Sequence, residues 1–469
     1  MASYSRSFVE PLEARRLLAA HGSAAPPIPV EPSHLLGAER FAVFFGSSKD
    51  LWRTDGTARG TQKLANLFAA EPHNMQPAGN LVFFVNRRKS AGRELWVTDG
   101  TATGTRMVKN INPGKASSDP SFVGSFNNVA FFTADDGAHG RELWRSDGSA
   151  EGTFLLKDLA PGLASLEAMH FTLVGNRLFF CTPAGDSKYD TYGRGYPLFA
   201  LWRTDGTQNG TIRLKTMYDV KDMVSLNGTL IALVHGPDYT INLCRSDGTR
   251  QGTVRYVSLS DPTFSGLWGE FHGMTLTVAG EKVFFAAQGS GGEKPIGAKL
   301  YAADAEKATL LKDFYSSNWR ENGYSLTRGR VFMGNYYFKV GLGSYDSGGS
   351  ASSWSDGTPE SLNAPGPYCP LGNAPGVTVG SYTIFVYVHD QGAGDEPWIT
   401  DGTEAGTRIL ADINPGTGDS VTSQCLDSTV LGNNFLFVAN DGVHGNGIWV
   451  WPYKTKRPVR PLIPAPVAP

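Results

Sequence analysis

Apolar residues along this chain fall into short runs, the longest four to six residues, separated by turns rich in Gly, Asp and Asn. Runs of that length bounded by turn residues read as strands rather than helices. One kind is purely apolar: Val82-Phe83-Phe84, Phe131-Phe132, Phe179-Phe180, Phe284-Phe285 and Phe435-Leu436-Phe437. A Leu-Trp strand follows it, and then Asp-Gly-Thr-x-x-Gly-Thr. Asp-Gly between β-rich runs is a strong hairpin signal, because Gly accepts a positive φ and the Asp side chain bonds its own turn. A third strand is predicted over Arg106 to Ile111, Phe154 to Leu159 and Arg408 to Ile413. A weaker fourth, such as Phe171 to Val174, leads through Gly175-Asn176 into the next Phe-Phe.

The phrase is whole at Leu51 to Thr57, Leu95 to Thr101, Leu143 to Ser149 and Leu201 to Thr207. It is decayed at Leu243 to Thr249, Leu300 to Asp304, Trp354 to Thr358, Pro397 to Thr403 and Ile448 to Val450. Its anchors are Trp52, Trp96, Trp144, Trp202, Trp398 and Trp449, with turn aspartates Asp55, Asp99, Asp147, Asp205, Asp247, Asp356 and Asp401. Nine copies recur about every 50 residues, within the range of propeller blades and far above leucine-rich or ankyrin periods. Strands apolar on both faces are what a sheet needs when it is packed between two neighbours. The expected fold is therefore all-β, a β-propeller of four-stranded antiparallel blades, nine in number, with eight plus a displaced terminal unit as the alternative. A single propeller is expected over residues 33–463, since no Pro/Gly-rich linker interrupts the repeats near residue 220. Residues 1–32 read as an N-terminal targeting or linker segment, mostly irregular, and 464–469 as the end of a Pro-rich tail. Ring closure is expected to use residues 25–40 or 456–463, with Pro458 and Pro461 tolerated only at an edge.

These phrases resemble the ELWxxDGT repeat family of bacterial proteins, most closely at Glu94 to Thr105 and Glu142 to Thr153. Asp136-Gly137-Ala138-His139-Gly140 and Asp441-Gly442-Val443-His444-Gly445 are in the same style. The resemblance implies a propeller in a surface or exported protein and brings no established catalytic residues. Leu12 to Ala19 is similar to the LEPR-XLL segment of large, surface or exported bacterial proteins, departing at Ala14, where that segment has Pro. Residues 1–32 hold no apolar core of an ordinary secretion signal.

Composition narrows the partners. The 42 basic and 44 acidic groups give a net charge of −2, which makes no electrostatic case for nucleic acid or an anionic membrane. No apolar run approaches the ~18 residues that a spanning helix needs. Four cysteines without C-x-x-C spacing argue against zinc or iron–sulfur sites. Cys181 and Cys244 read as small buried hydrophobes. Cys369 and Cys425 precede equivalent strands of consecutive repeats and could be bridged in an exported protein.

The recurrent aspartates are lone carboxylates in hairpin turns, without the spacing that gathers calcium ligands. The Trp precedes the Asp turn, the reverse of the sialidase Asp-box. The Asn110-Ile111-Asn112-Pro113-Gly114 and Asp412-Ile413-Asn414-Pro415-Gly416 stretches read as turns, and His139 and His444 as locally hydrogen-bonded. No catalytic or nucleotide-binding motif stands in its strand and helix context. Neither metal nor cofactor is expected, and the chain is expected to be a monomer.

One asymmetry points to function. In an up-and-down blade the loop after the second strand and the loop leaving the fourth share one face. On that face blades four to seven carry long insertions, with Tyr189, Tyr192, Arg194, Tyr196, Trp268, Glu270, His272, Trp319, Arg320 and Glu321 as candidate ligand-binding residues. Aromatic rings with Arg and carboxylates suit stacking on sugars or gripping a peptide. The expected function is a non-catalytic binding or adhesion module for a glycan or a surface protein. The alternative is a glycan lyase or hydrolase that uses Glu270 or Glu321 with His272.

Overall fold

The computed structural model describes residues 32–46, 50–66, 75–185, 188–189, 195–236, 240–259, 275–288, 298–314, 323–332, 335–343, 350–363, 376–387, 394–403, 405–421, 426–455 and 457–462. These form nine consecutive antiparallel sheets, eight of four strands and the seventh of three, with one short 3-10 turn at Glu360–Asn363. The fold is all-β, of propeller class. No helix is long and apolar enough to cross a membrane.

Sheet three shows the pattern. Ser121–Phe126, Val129–Asp135, Arg141–Ser146 and Phe154–Lys157 pair in chain order as a meander. The second strand carries the Phe-Phe pair, and successive side chains on a strand point to opposite faces. Phe132 therefore packs against sheet two with Ala130 and Trp144, while Phe131 packs against sheet four with Leu143, Leu178 and Phe180. Both rings are fully buried. That is why the Phe-Phe runs lack a polar face. The Trp rings cover the cross-strand Phe of their own sheets, as Trp202 does on Phe180 at 6.4 Å between centroids.

The weaker strand belongs elsewhere than expected. Met169–Val174 pairs with Arg177–Pro183 and opens sheet four; it does not close the sheet before it. The reason is the turn between them: Gly175 takes φ +57° and two residues suffice to reverse the chain, whereas a long loop separates Met169 from the preceding strand. Each sheet thus runs weak strand, Phe-Phe, Leu-Trp, outer strand. The outer strands also stop early, at Lys109, Lys157 and Ile409.

The chain falls into two compact units. One comprises residues 68–370 and 402–404 and contains sheets two to seven. In it the first strands of successive sheets lie side by side, and buried clusters fill each space between sheets. The other comprises residues 1–67, 371–401 and 405–469 and contains sheets one, eight and nine. Here the first and last sheets are neighbours: Ala42, Phe44 and Trp52 pack against Leu436, Ile448 and Val450. A linear stack would keep those two sheets at opposite ends; their contact is what closure of a propeller requires. Ser33–Gly37 supplies the first strand of sheet one, and Arg460–Pro461 the outermost strand of sheet nine, where a proline costs no ladder bond. No strand is exchanged between the two. Instead Leu35 N donates to Asp427 Oδ1 at 2.9 Å, a clasp from sheet one to sheet nine.

The decayed copies keep the geometry. Ala298–Ala303 and Ser350–Ser355 still form third strands, with Tyr301 in the Trp position. Cys181 is buried beside Met223, and Cys244 is partly buried; burial pushes their thiols up to about 12 and about 11. Cys369 and Cys425 lie outside the described residues.

Candidate functional site

The Asp-Gly-Thr turns use up their own polar groups. In sheet two, Thr101 donates to Asp99 Oδ1 through both its amide (2.9 Å) and its hydroxyl (2.7 Å), and Gly104 N donates to Thr101 Oγ1. Thr105 donates its hydroxyl to the Thr101 carbonyl. Thr98, 2.8 Å from Thr105 Oγ1, is then the donor of that pair and also accepts from Gly100 N. A side chain at Gly104 would overlap the Asp99 carboxylate. The hydroxyl pair recurs at Thr54–Thr61, Ser146–Thr153, Thr204–Thr211, Ser246–Thr253, Ser355–Ser361 and Thr400–Thr407.

Neighbouring sheets read these turns through their carbonyls. Lys109, Lys157 and Lys215, on outer strands, donate to Thr153, Thr211 and Thr253 O of the following sheet at 2.9–3.1 Å. Arg145 and Arg203 donate to Gly206 and Gly248 O. The repeated Asp, Thr and basic residues are therefore occupied in holding each sheet and its neighbour together.

The opposite ends of the sheets hold a second device. Glu94, Glu142 and Glu396, two residues before the Trp, are fully buried. Glu396 accepts from Ile413 N, Asn414 N and Ser420 Oγ; Glu94 accepts from Ile111 N, Ser118 N and Ser118 Oγ; Glu142 accepts from Leu159 and Ala160 N. The loop leaving the outer strand is folded over the carboxylate, which takes the amides that would have continued the strand. This ends the outer strands early. Burial pushes all three carboxyls up against the pull of those bonds, Glu396 to about 7. His139 and His444 sit in the adjoining hairpins, their Nδ1 atoms 2.8 Å from Asp136 and Asp441 Oδ2.

Sheets four and five break this rule. Their Trp−2 positions hold Ala200 and Asn242, and a single residue, Asp219, joins Ile212–Tyr218 to Val220–Leu226. There is no covering loop. Asp219 Oδ2 instead lies 2.8 Å from Lys221 Nζ and 3.4 Å from His235 Nδ1, with its backbone amide donating to Pro197 O. Burial resists ionisation of Asp219, but the bonds from His235 and Lys221 prevail and hold its carboxyl below the usual range. His170, on the adjoining first strand, bonds the Val220 backbone at φ +55°. Burial pushes its imidazole below the usual value, with Asp222 and Asp219 acting against that. Four ionisable side chains thus meet where the first strands of sheets four and five adjoin.

This cluster stands at the foot of a predicted ligand-binding insertion. Lys188–Tyr189 and Gly195–Tyr196 form a two-stranded extension, Tyr189 paired with Gly195 and Lys188 with Tyr196, and Pro197 bonds Asp219. The side chains of Tyr189 and Tyr196 are outside the description. Tyr192, Arg194, Trp268, Glu270, His272, Trp319, Arg320 and Glu321 lie outside the described residues altogether. Among the described residues no three His, Cys, Asp or Glu side chains are placed to hold a metal ion.

Sequence reasoning missed Asp219, Lys221, His235 and His170, because their signal is a loop that is not there: an outer strand running almost directly into the next sheet. It also left the Glu before Leu-Trp unexplained, although Glu94, Glu142 and Glu396 repeat it in register.

No family model and no curated protein matches the chain. Among solved structures it is similar to the β-propeller domain of the Trilobed protease from Pyrococcus furiosus (9% identity, 83% of this chain and 96% of that one, TM-score 0.33). It is similar also to a post-proline cleaving enzyme from Rickettsia typhi (9% identity, 67% and 50%, TM-score 0.37) and to the designed Ika8 protein (12%, 70% and 96%, TM-score 0.30). At such superpositions the fold rests on the sheet order and packing of this chain itself.

Proposed function

We propose that the protein is a non-catalytic binding module, exported or held at the cell surface, whose ligand is a glycan met by the loop face of sheets four to seven. The observation that carries the reading is the change of construction at sheets four and five. Where sheets two, three and eight spend a buried glutamate and a covering loop, these two place Asp219, Lys221, His235 and His170 at the root of the Lys188–Tyr196 extension. Ions held in fixed geometry beside tyrosine- and tryptophan-bearing insertions offer hydrogen bonds and stacking surfaces together, the combination that sugar rings take. The repeated carboxylates offer no competing site, since the turns and covering loops occupy them. The exported or surface location rests on the ELWxxDGT and LEPR-XLL resemblances.

A glycan-array screen with the purified protein, run beside a Tyr192→Ala/Trp268→Ala/Trp319→Ala variant, tests the reading. Binding by the parent that the variant loses supports it. Binding by neither, or equal binding by both, moves the function to protein docking or to another face.

A further inference from the structure

The hairpin between the second and third strands of sheet two departs from its sisters in charge. Sheets three and nine carry Asp135 to Gly140 and Asn440 to Gly445 there, with Asp136 and Asp441 accepting backbone amides of the turn. Sheet two carries Arg87-Arg88-Lys89-Ser90-Ala91-Gly92-Arg93, four cations in seven residues. Arg87 stands directly opposite Arg93 in the ladder, the position where sheet three sets Asp135 opposite Arg141. Like charges so opposed destabilise a sheet, and sheet three demonstrates that an acid fits this register.

The hairpin is held firmly nonetheless. Arg87 N donates to Asn86 Oδ1 at 2.9 Å and Ala91 N to Arg88 O at 3.2 Å. The Arg88 guanidinium lies 4.9 Å from the centre of the Trp96 ring, and Arg93 Nε is 3.3 Å from Asp119. Gly92, at φ +70°, packs on Ala116 so closely that no side chain fits. Arg87 and Lys89 are exposed and make no ion pair among the described residues. A fixed, uncompensated pair of opposed arginines beside a lysine is a site whose missing component is an anion.

We propose that this hairpin binds an acidic carbohydrate, through carboxylates carried on otherwise neutral sugar rings. The patch is one hairpin wide. The covering loop of residues 110–118 lies on it, and that loop also meets the acidic hairpin of sheet three, where Asn112 approaches Gly137. A nucleic acid, charged every ~1.7 Å of duplex axis, would run onto those carboxylates, and an anionic membrane would need a broader basic surface. Isolated carboxylates match the bidentate reach of arginine. The site is distinct from the face of sheets four to seven.

The test is calorimetric titration of the full chain with a galacturonic acid hexasaccharide at low salt. The parent, Arg87→Asp, and Arg87→Gln/Lys89→Gln are compared. Arg87→Asp recreates the pair of sheet three, so it is expected to raise the melting temperature while weakening binding by about tenfold or more. The double glutamine variant is expected to weaken binding similarly, and Tyr192→Ala/Trp268→Ala/Trp319→Ala to leave it unchanged. The proposal is overturned if the parent does not bind the hexasaccharide, if Arg87→Asp binds it as the parent does, or if a neutral galactose hexasaccharide binds equally. Preferential binding of a DNA duplex or of anionic vesicles would overturn the ligand class.

Discussion

Glu396 accepts three hydrogen bonds yet is held nearer neutrality than a free carboxyl, because burial raises its pKa to about 7 and those bonds only partly oppose the rise. A carboxyl raised on folding binds its proton more tightly in the native state. Its stabilising contribution is therefore complete below the ordinary carboxylate pKa and is lost as pH rises through about 7. Glu94 and Glu142 act in the same direction. Glu396→Gln should lower stability at pH 4.5 by about 1 kcal/mol through a lost acceptor, and the deficit should shrink by pH 8. Melting curves across that range check it; a deficit that grows with pH would contradict the assignment. The turn aspartates behave oppositely: for Asp147 the Ser149 hydroxyl and amide hold the carboxyl low. Asp147→Ala should cost about 1 kcal/mol near neutrality in chemical denaturation. Their turn role was legible from Asp-Gly alone. That of the glutamates was not, because the amides they bind lie 17 to 24 residues further along the chain.

Between elements, the strongest dependence falls on the Phe-Phe strands. Phe131 fills the space between sheets three and four, and Phe131→Ala should destabilise the protein by about 3–5 kcal/mol, with Phe132→Ala comparable on the other side. A loss below 1 kcal/mol at either position would mean the sheets do not pack as described. The lysine clasps are weaker: Lys157→Met keeps the stem against Trp202 but loses the bond to Thr211 O, and should cost about 1 kcal/mol in the same assay. These strands could be read from sequence because each is apolar on both faces, a demand that only a doubly packed sheet makes. The weak strands could not be assigned to a sheet so readily. Ser121–Phe126 and Met169–Val174 are partly exposed, and it is the two-residue reversal at Asn127-Asn128 or Gly175-Asn176 that ties each to the strand after it.

For the whole molecule, the repeat defines the scaffold and its interruptions define the face that can act. Nine Leu-Trp phrases predicted nine sheets, and the packing of sheet one on sheet nine follows from each sheet needing two apolar neighbours. The candidate site was only half legible: the insertions stand out in the sequence by length and aromatic content, while the ionic cluster beneath them depends on Asp219, Lys221 and His235 being brought together by a one-residue connection. The most direct measurement is hydrogen–deuterium exchange of the full chain with and without the strongest glycan found on the array. Protection confined to residues 183–199, 219–240, 261–272 and 316–324, with the Asp-Gly-Thr turns unchanged, is the predicted result. Protection centred on those turns, or spread evenly over the nine repeats, would contradict a binding face built on sheets four to seven.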